Sequence, residues 1–237
     1  FTFYSLGEEF GIDPKYQPWE TKSHNAILVD DIGQGKENNQ YDIGGNTVAQ
    51  ADFVNAYYVK GDAADSYQNT SKVSIAKRKM LFVKGVQPYL VIADDIQKST
   101  GTGVFKWMFH TSPLNQYTIG PGQNVVVTGN RRGAKCYIKF LWPQTGVALA
   151  QTDLTGQSID RYGRIYPYDK FYKEASATVT ATNPRFVTFI SAAEALENPP
   201  AVSFTGTPDN MQITVTSKDG KIDMIGVTRD NMTFSRK

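Results

Sequence analysis

The sequence has few of the residues that would fix a function immediately. It contains one cysteine, Cys136, and two histidines in 237 residues. A single cysteine excludes an internal disulfide. Cys136 lies in the apolar run GAKCYIKFLW, which predicts a strand and a buried structural thiol. One cysteine does not indicate whether the protein works in an oxidising or a reducing compartment.

An excess of charge of one sign is also missing. The chain has 25 Lys and Arg against 23 Asp and Glu, a net charge of +2, without a dense basic stripe. We therefore expect no nucleic-acid partner. No window approaches 18 apolar residues and no signal peptide is seen, so we expect no membrane span. The chain opens without Met on FTFYSLG, already in strand rhythm, which suggests a missing partner segment upstream.

Helical periodicity is nearly absent, whereas β-branched and aromatic runs bounded by Gly, Pro, Asn and Asp recur along the chain. We predict an all-β fold, a large antiparallel β-sandwich of stacked sheets in one domain over residues 1–237. A change of sheet is expected near 197–210, and a short helix around SAAEALENPP at 191–200.

One pair of strands can be predicted in more detail. Residues 73–83 and 89–96 should be adjacent and antiparallel, because both alternate apolar and polar side chains around a short connection. The side chains expected in the interior are Val73, Ile75, Met80, Phe82, Leu90 and Ile92.

Asp13 and His24 are candidate metal ligands. Zinc binds carboxylate oxygen and imidazole nitrogen, and three protein ligands plus water are a usual open arrangement. The residues alone leave two interpretations open. An Asp before Pro is ordinarily a turn residue, and a His ahead of a strand is ordinarily a surface or hydrogen-bonded residue.

Five motifs follow one another over residues 1–112: FTFYSLGEEFGIDPKY, SHNAILVDDIGQG, YYVKGDAADSYQN, AKRKMLFVKGVQPYLVIADDI and FKWMFHTS. In this order they resemble the β-sandwich part of the heparinase II/III-type polysaccharide lyases, which include related alginate and oligoalginate lyases. The resemblance implies that Asp13 and His24 are two of three zinc ligands, with the third upstream of Phe1. It also implies an N-terminal α/α-toroid that this chain does not contain.

The activity implied by the resemblance is β-elimination at a uronic acid residue of an acidic polysaccharide. The toroid of the family carries the tyrosine and other groups that act on the sugar, so we expect this chain alone to be inactive. The partners implied are the polysaccharide substrate and the toroid of the same protein. The implied location is the bacterial periplasm or the outside of the cell. Substrate identity, endo or exo action, and oligomeric state are left open.

Further residues are candidates for the same site. Tyr16 follows Asp13 at a position where some relatives place an active-site tyrosine, so it is a candidate cleft residue, with loop packing as the other interpretation. Asn25 and Gln34 are expected to brace the metal loop, or to contact sugar hydroxyls.

Two candidates lie on predicted strands. Arg78 alternates with apolar residues, which favours a solvated sheet face over a role beside the metal loop or in substrate binding. His110 matches a family position and is expected to make a structural hydrogen bond.

A second function class remains open. A carbohydrate-binding or structural β-sandwich module without chemistry fits the composition. The segment RYGRIYPYDKFYKE at 161–174 carries tyrosines that suit sugar faces and arginines that suit carboxylates, although core and loop packing is the other interpretation. The upstream sequence would discriminate between the two classes, because a toroid with a histidine cluster supports the lyase.

Overall fold

The computed structural model describes residues 1–13, 21–35, 44–68, 72–154, 157–159, 165–167 and 172–237. In these ranges the chain forms strands almost throughout, with one 3-10 turn, η1 (Thr21–Ser23), and one short helix, α1 (Ala64–Gln68). The strands are β1 (Phe3–Ser5), β2 (Glu8–Gly11), β3 (Ile27–Val29), β4 (Asn46–Phe53), β5 (Ala56–Asp62), β6 (Val73–Val83), β7 (Tyr89–Lys98), β8 (Gly103–Thr111), β9 (Gln116–Gly120), β10 (Asn124–Thr128), β11 (Lys135–Trp142), β12 (Ala148–Leu154), β13 (Gln157–Ile159), β14 (Ile165–Pro167), β15 (Tyr172–Ala181), β16 (Arg185–Ala193), β17 (Ala201–Thr207), β18 (Asn210–Thr216), β19 (Ile222–Thr228) and β20 (Met232–Arg236).

Three antiparallel sheets stack on one another. The central sheet has eight strands in the order β4-β5-β6-β7-β16-β11-β10-β9. A four-stranded sheet in the order β12-β15-β8-β3, here called the front sheet, packs on one face of it. A second four-stranded sheet in the order β17-β18-β19-β20, the back sheet, packs on the other face. The predicted all-β antiparallel sandwich is therefore confirmed, with three layers.

Two hydrophobic cores result, one on each face of the central sheet. β7 divides its side chains between them by simple alternation: Leu90 and Ile92 face the front core, and Tyr89 and Val91 face the back core. All nine residues of β16 are buried, which is what a strand covered on both faces requires. Cys136 is fully buried in the front core, and this burial raises the pKa of its thiol.

The predicted pairing of the two strands is confirmed, since β6 and β7 are antiparallel neighbours over 73–83 and 89–98. The prediction that Phe82 lies in the interior is wrong: its side chain is 40% exposed. Phe82 points to the same side of the central sheet as Met80. The front sheet has only four strands, whereas the central sheet has eight, so part of the central sheet around Phe82 is left uncovered.

The helix expected at 191–200 is not formed. β16 continues to Ala193, and a turn follows in which the N–H of Glu197 donates to the carbonyl oxygen of Glu194 at 2.9 Å. The chain passes from the central sheet to the back sheet between Ala193 and Ala201. No helix in the described part of the chain is long and apolar enough to span a membrane.

Candidate functional site

Asp13 and His24 lie side by side at one edge of the front core. Asp13 follows β2, and His24 follows η1, where its N–H donates to the carbonyl oxygen of Thr21 at 3.0 Å. The Nδ1 atom of His24 is 2.9 Å from Oδ1 of Asp13, and each side chain is 35% exposed. The two loops therefore present an imidazole and a carboxylate at one partly accessible point.

The amide of Asn25 fixes this arrangement. It is buried, and its Nδ2 donates to the carbonyl oxygens of Phe1 at 2.6 Å and Ile12 at 2.9 Å. Its Oδ1 accepts from the backbone N–H of His110 at 2.6 Å and lies 3.2 Å from His110 Nδ1. One side chain thus joins the loop of His24, the segment before Asp13 and strand β8. A rigid support of this kind orients neighbouring ligands.

Arg78 reaches the same loop from the central sheet. Its Nε and a terminal nitrogen donate to the two carboxylate oxygens of Asp94, at 2.6 and 3.1 Å. Its other terminal nitrogen donates to the carbonyl oxygen of Asn25 at 2.5 Å. Asp94 also accepts from the indole N–H of Trp107 at 3.0 Å. Arg78 does not lie on a freely solvated sheet face, because its side chain is only 23% exposed and engaged at every donor group.

His110 is fully buried and lies behind Asn25. Its Nε2 is 3.5 Å from Oε2 of Glu174, which stands directly opposite on β15, and Lys106 Nζ is 2.6 Å from Oε1 of the same carboxylate. Burial alone would raise the pKa of Glu174, but His110 and Lys106 together hold that pKa below its usual value. This network fixes His110 and leaves it without access to solvent.

Gln34 lies on a loop that is tied to η1. Its backbone N–H donates to Oγ1 of Thr21 at 2.7 Å. Gly33 precedes it, and a Cβ there would overlap the Thr21 side chain, so only glycine permits this approach. The Gln34 side chain bonds to the hydroxyl of Tyr67, which donates to the carbonyl oxygen of Ile27 at 2.7 Å.

A cavity of about 300 Å³ opens beside these residues. Its lining includes the polar residues Gln34, Tyr67, Lys77, Arg78 and Asp94. Gln34 and Arg78 therefore line one cavity, and Ala26, two residues after His24, lines it as well. A cavity of this size is at the lower end of the range that holds a small ligand.

The two side chains are of the types expected for a zinc site. Carboxylate oxygen and imidazole nitrogen are suitable zinc ligands, and the contact between them shows that they can converge. Within the described ranges no three His, Cys, Asp or Glu residues are grouped to hold a metal ion. Among the described residues, Asp13 and His24 thus provide two donors of the expected kind, with no third His, Cys, Asp or Glu grouped beside them. Tyr16 lies outside the described residues, as do Arg161, Tyr162, Arg164 and Tyr168 of the aromatic segment.

Sequence reasoning missed Asp94 and Glu174, the two buried acids that hold Arg78 and His110. A signal for Asp94 was present, because VIADDIQ places two acids inside an apolar strand, and buried acids require partners. Glu174 gives no such signal, since it precedes its apolar run and its partner lies on a distant strand.

Comparison with known proteins identifies the family of this chain. The model of the family "Heparinase II/III-like, C-terminal" matches residues 14–221. Heparan sulfate lyase HepC from Pedobacter heparinus superposes with a TM-score of 0.65 at 13% identity, and a mutant of it gives 0.66 at 13%. The heparinase III gene product BT4657 gives 0.55 at 15%. Comparison with curated proteins gives no match.

These likenesses extend over most of this chain but only part of the others. The alignments cover 95% of this chain and 36% of each HepC chain, and 92% and 30% for the heparinase III product. The chain thus spans about a third of the length of the lyases that it matches. At such identities the structures show the shared fold, while the sequence match covers most of the chain and decides the family. The chain belongs to the heparinase II/III-like C-terminal family, the C-terminal part of a group of polysaccharide lyases.

Proposed function

We propose that this chain is the C-terminal β-sandwich part of a lyase that cleaves uronic-acid-containing polysaccharide by β-elimination. The observation that carries the proposal is the pairing of Asp13 with His24 at 2.9 Å in a chain of this family. Two loops 11 residues apart meet there, and the buried amide of Asn25 holds both. The pair is partly exposed, as a site that meets a partner domain and a substrate needs to be.

β-Elimination needs three things at the sugar. A base removes the proton α to the carboxylate, the developing enolate-like charge is stabilised, and an acid protonates the leaving glycosidic oxygen. His110 and Glu174 are fully buried and do not reach a polysaccharide, so their role is to position Asn25. We assign the proton transfers to the toroid implied upstream, with Tyr16 as the candidate cleft residue of this chain.

Asp13 and His24 would hold a zinc ion, together with a third ligand expected upstream of Phe1. A bound zinc ion supplies a fixed positive charge that organises the site between the two domains. Two ligands do not close a zinc site, so this chain by itself should bind zinc weakly. Asn25 orients the two loops, and Arg78 fixes the backbone of Asn25 from the central sheet.

The test uses the longer protein that includes the upstream segment. Asp13→Ala and His24→Ala should each lower the bound zinc by more than half and reduce the formation of unsaturated uronate, because each removes a ligand. Metal analysis and the ultraviolet absorbance of the product are the measurements. Asp219→Ala is the matched control, since Asp219 is a surface carboxylate in the β18–β19 turn, paired with Lys221. Variants that keep a full complement of zinc would overturn the assignment.

The substrate and the location extend the same proposal. The similar structures are named as heparan sulfate lyases and a heparinase III, which supports heparan sulfate as the first acidic polysaccharide to test, with alginate as the second. A periplasmic or secreted bacterial enzyme would meet such polymers directly. Cell fractionation of the source organism, followed by detection of this chain, tests the location.

A further inference from the structure

A second cluster of polar residues lies at the turn between β10 and β11, which is not part of the two loops that carry Asp13 and His24. Arg131 and Arg132 follow one another on this turn, and both side chains are exposed. Neither guanidinium forms an ion pair or a hydrogen bond with the described part of the chain. The N–H of Gly129 donates to the carbonyl oxygen of Ala134 at 2.8 Å, which closes the turn beneath them.

A buried carboxylate holds the backbone of this turn. Glu8 is 1% exposed, and its Oε1 accepts from the N–H of Arg131 at 3.0 Å and from the N–H of Arg132. A Cβ on Gly129 would overlap the carboxyl carbon of Glu8, so the turn closes directly onto this acid. The carboxylate bonds to the two amide groups of the turn. Both arginine side chains are exposed, and that of Arg132 lies along the β1–β2 turn, where a Cβ on Gly7 would be 3.5 Å from its Nη1.

A buried amide holds the same turn from a second side. Asn115 is 1% exposed, and its Oδ1 accepts from the N–H of Asn130 at 3.2 Å. Its Nδ2 donates to the carbonyl oxygen of Glu9 at 2.9 Å and to Oγ1 of Thr111 at 2.7 Å. The turn is thereby attached both to the β1–β2 hairpin and to the end of β8.

Such support is unusual for a surface turn. A short hairpin closes with glycine and turn-forming residues alone, whereas a buried carboxylate is tolerated only where hydrogen bonds offset its loss of water. Glu8 and Asn115 together fix a turn whose only large exposed groups, among the described residues, are two adjacent guanidiniums. A guanidinium binds carboxylates and other oxyanions in pairs of hydrogen bonds, and a fixed backbone beneath it reduces the entropy lost on binding.

We propose that Arg131 and Arg132 form a binding site for the carboxylate or sulfate groups of an acidic polysaccharide, separate from the site at Asp13 and His24. The identity of the ligand as a polysaccharide rests on the proposed function. Glu8 begins β2 (Glu8–Gly11) and Asp13 follows that strand, so the chain allows a separation of at most roughly 17 Å between them at the usual rise of a strand. A polymer bound at both places would therefore hold the reacting sugar at one of them and another anionic group at the other.

The test compares two variants that lose the same charge. Arg131→Gln with Arg132→Gln removes the proposed site, and Lys84→Gln with Lys237→Gln removes two exposed lysines that are not in ion pairs with described residues. Affinity is measured with oligosaccharides of heparan sulfate and of alginate at fixed salt. The arginine variant should bind roughly tenfold more weakly, and the lysine variant should bind nearly as the unchanged protein does. A loss on both ligands identifies carboxylate as sufficient, and a loss on heparan sulfate alone identifies sulfate.

Equal affinities of the two variants would overturn the inference, because general charge attraction would then explain all binding. An unchanged thermal midpoint of the arginine variant shows that its fold is intact. Formation of unsaturated uronate by the longer protein is assayed separately. If the longer protein makes no such product but the arginine variant still loses affinity, the proposed function fails while this site stands.

Discussion

Asp94 and Asp95 are neighbours in β7, yet they hold different parts of the molecule. Asp94 faces the front core and stands directly opposite Arg78 of β6. Asp95 faces the back sheet and stands directly opposite Arg185 of β16. Both side chains are buried, with an exposed fraction of 4% for Asp94 and 5% for Asp95.

The two pairs differ in what the arginine does next. Arg78 binds both oxygens of Asp94 and continues to the carbonyl oxygen of Asn25, so it connects the central sheet to the candidate site. Arg185 lies 3.3 Å from Asp95 and continues to the carbonyl oxygen of Pro208 at 2.9 Å, so it connects the central sheet to the β17–β18 turn. The two Asp–Arg pairs therefore have different roles. The pair on the front face of the central sheet positions the candidate site, and the pair on the back face attaches the back sheet.

The largest effect should come from Arg78→Met. It leaves Asp94 buried without a cationic partner, which costs about 3 to 5 kcal/mol in the free energy of unfolding. It also removes the donor to the Asn25 carbonyl oxygen, so under the proposed function the longer protein should bind the proposed zinc ion more weakly. Urea unfolding and metal analysis are the measurements.

A paired substitution separates charge from packing in this experiment. Arg78→Met together with Asp94→Asn removes the unpaired charge and keeps an acceptor for Trp107, so it should recover a large part of the lost stability. If the double variant is no more stable than Arg78→Met, the loss comes from packing, and the ion pair is not the source of the stability.

A smaller loss is expected from Arg185→Met. Asp95 keeps Arg229, whose Nε lies 3.7 Å away, so its charge is not left alone. We expect a loss of about 2 kcal/mol in the free energy of unfolding, with little change in zinc binding. Hydrogen exchange should show the loss in the back sheet. Exchange that rises instead around residues 21–35 would remove the distinction between the two faces.

A pH-dependent effect is expected from Lys79, which is buried on the back side. Its Nζ donates to the carbonyl oxygens of Thr228 at 2.6 Å and Arg229 at 2.8 Å. Burial lowers the pKa of Lys79 to about 8, against the opposing effect of Asp95. Between pH 8 and the ordinary lysine pKa of 10.5, Lys79 is more protonated in the unfolded chain than in the folded protein. The free energy of unfolding therefore rises with pH over this range, and this gain in stability is lost as the pH falls through about 8.

The measurement for Lys79 is the difference in unfolding free energy between the unchanged protein and Lys79→Met, followed from neutral pH up to the ordinary lysine pKa of 10.5. The difference should shift in favour of the unchanged protein as the pH rises. A difference that is constant over this range would show that Lys79 keeps its ordinary pKa in the folded state.

Much of the fold was predictable from local pattern. The alternation in β6 and β7 and the turn signals between them predict an antiparallel pair, and the pair is found. The number of layers was not predictable from the sequence. A strand such as β16 is one apolar run, and this pattern does not tell how many sheets are stacked around it. Phe82 is exposed because the front sheet is narrower than the central sheet, and the local sequence pattern around Phe82 does not predict the width of another sheet.

The candidate site was predictable to a lesser degree. The placing of Asp13 beside His24 came from the family resemblance, since residue types alone left turn and surface roles open. The link from Arg78 to Asn25 spans 53 positions and needs the packing of two sheets. The turn of Arg131 and Arg132 has a sequence signal in GNRRG, but its attachment to Glu8 lies 123 positions away.

The alternation within β7 also limits how this strand can change during evolution. Its odd residues belong to one core and its even residues to the other, and the acids at 94 and 95 follow the same rule. Inserting one residue before Leu90 would turn each following side chain of β7 toward the opposite core. The same shift would separate both Asp94 and Asp95 from their arginines. Lineages of this family should therefore vary β7 by substitution and place their insertions and deletions in the connections on either side of it.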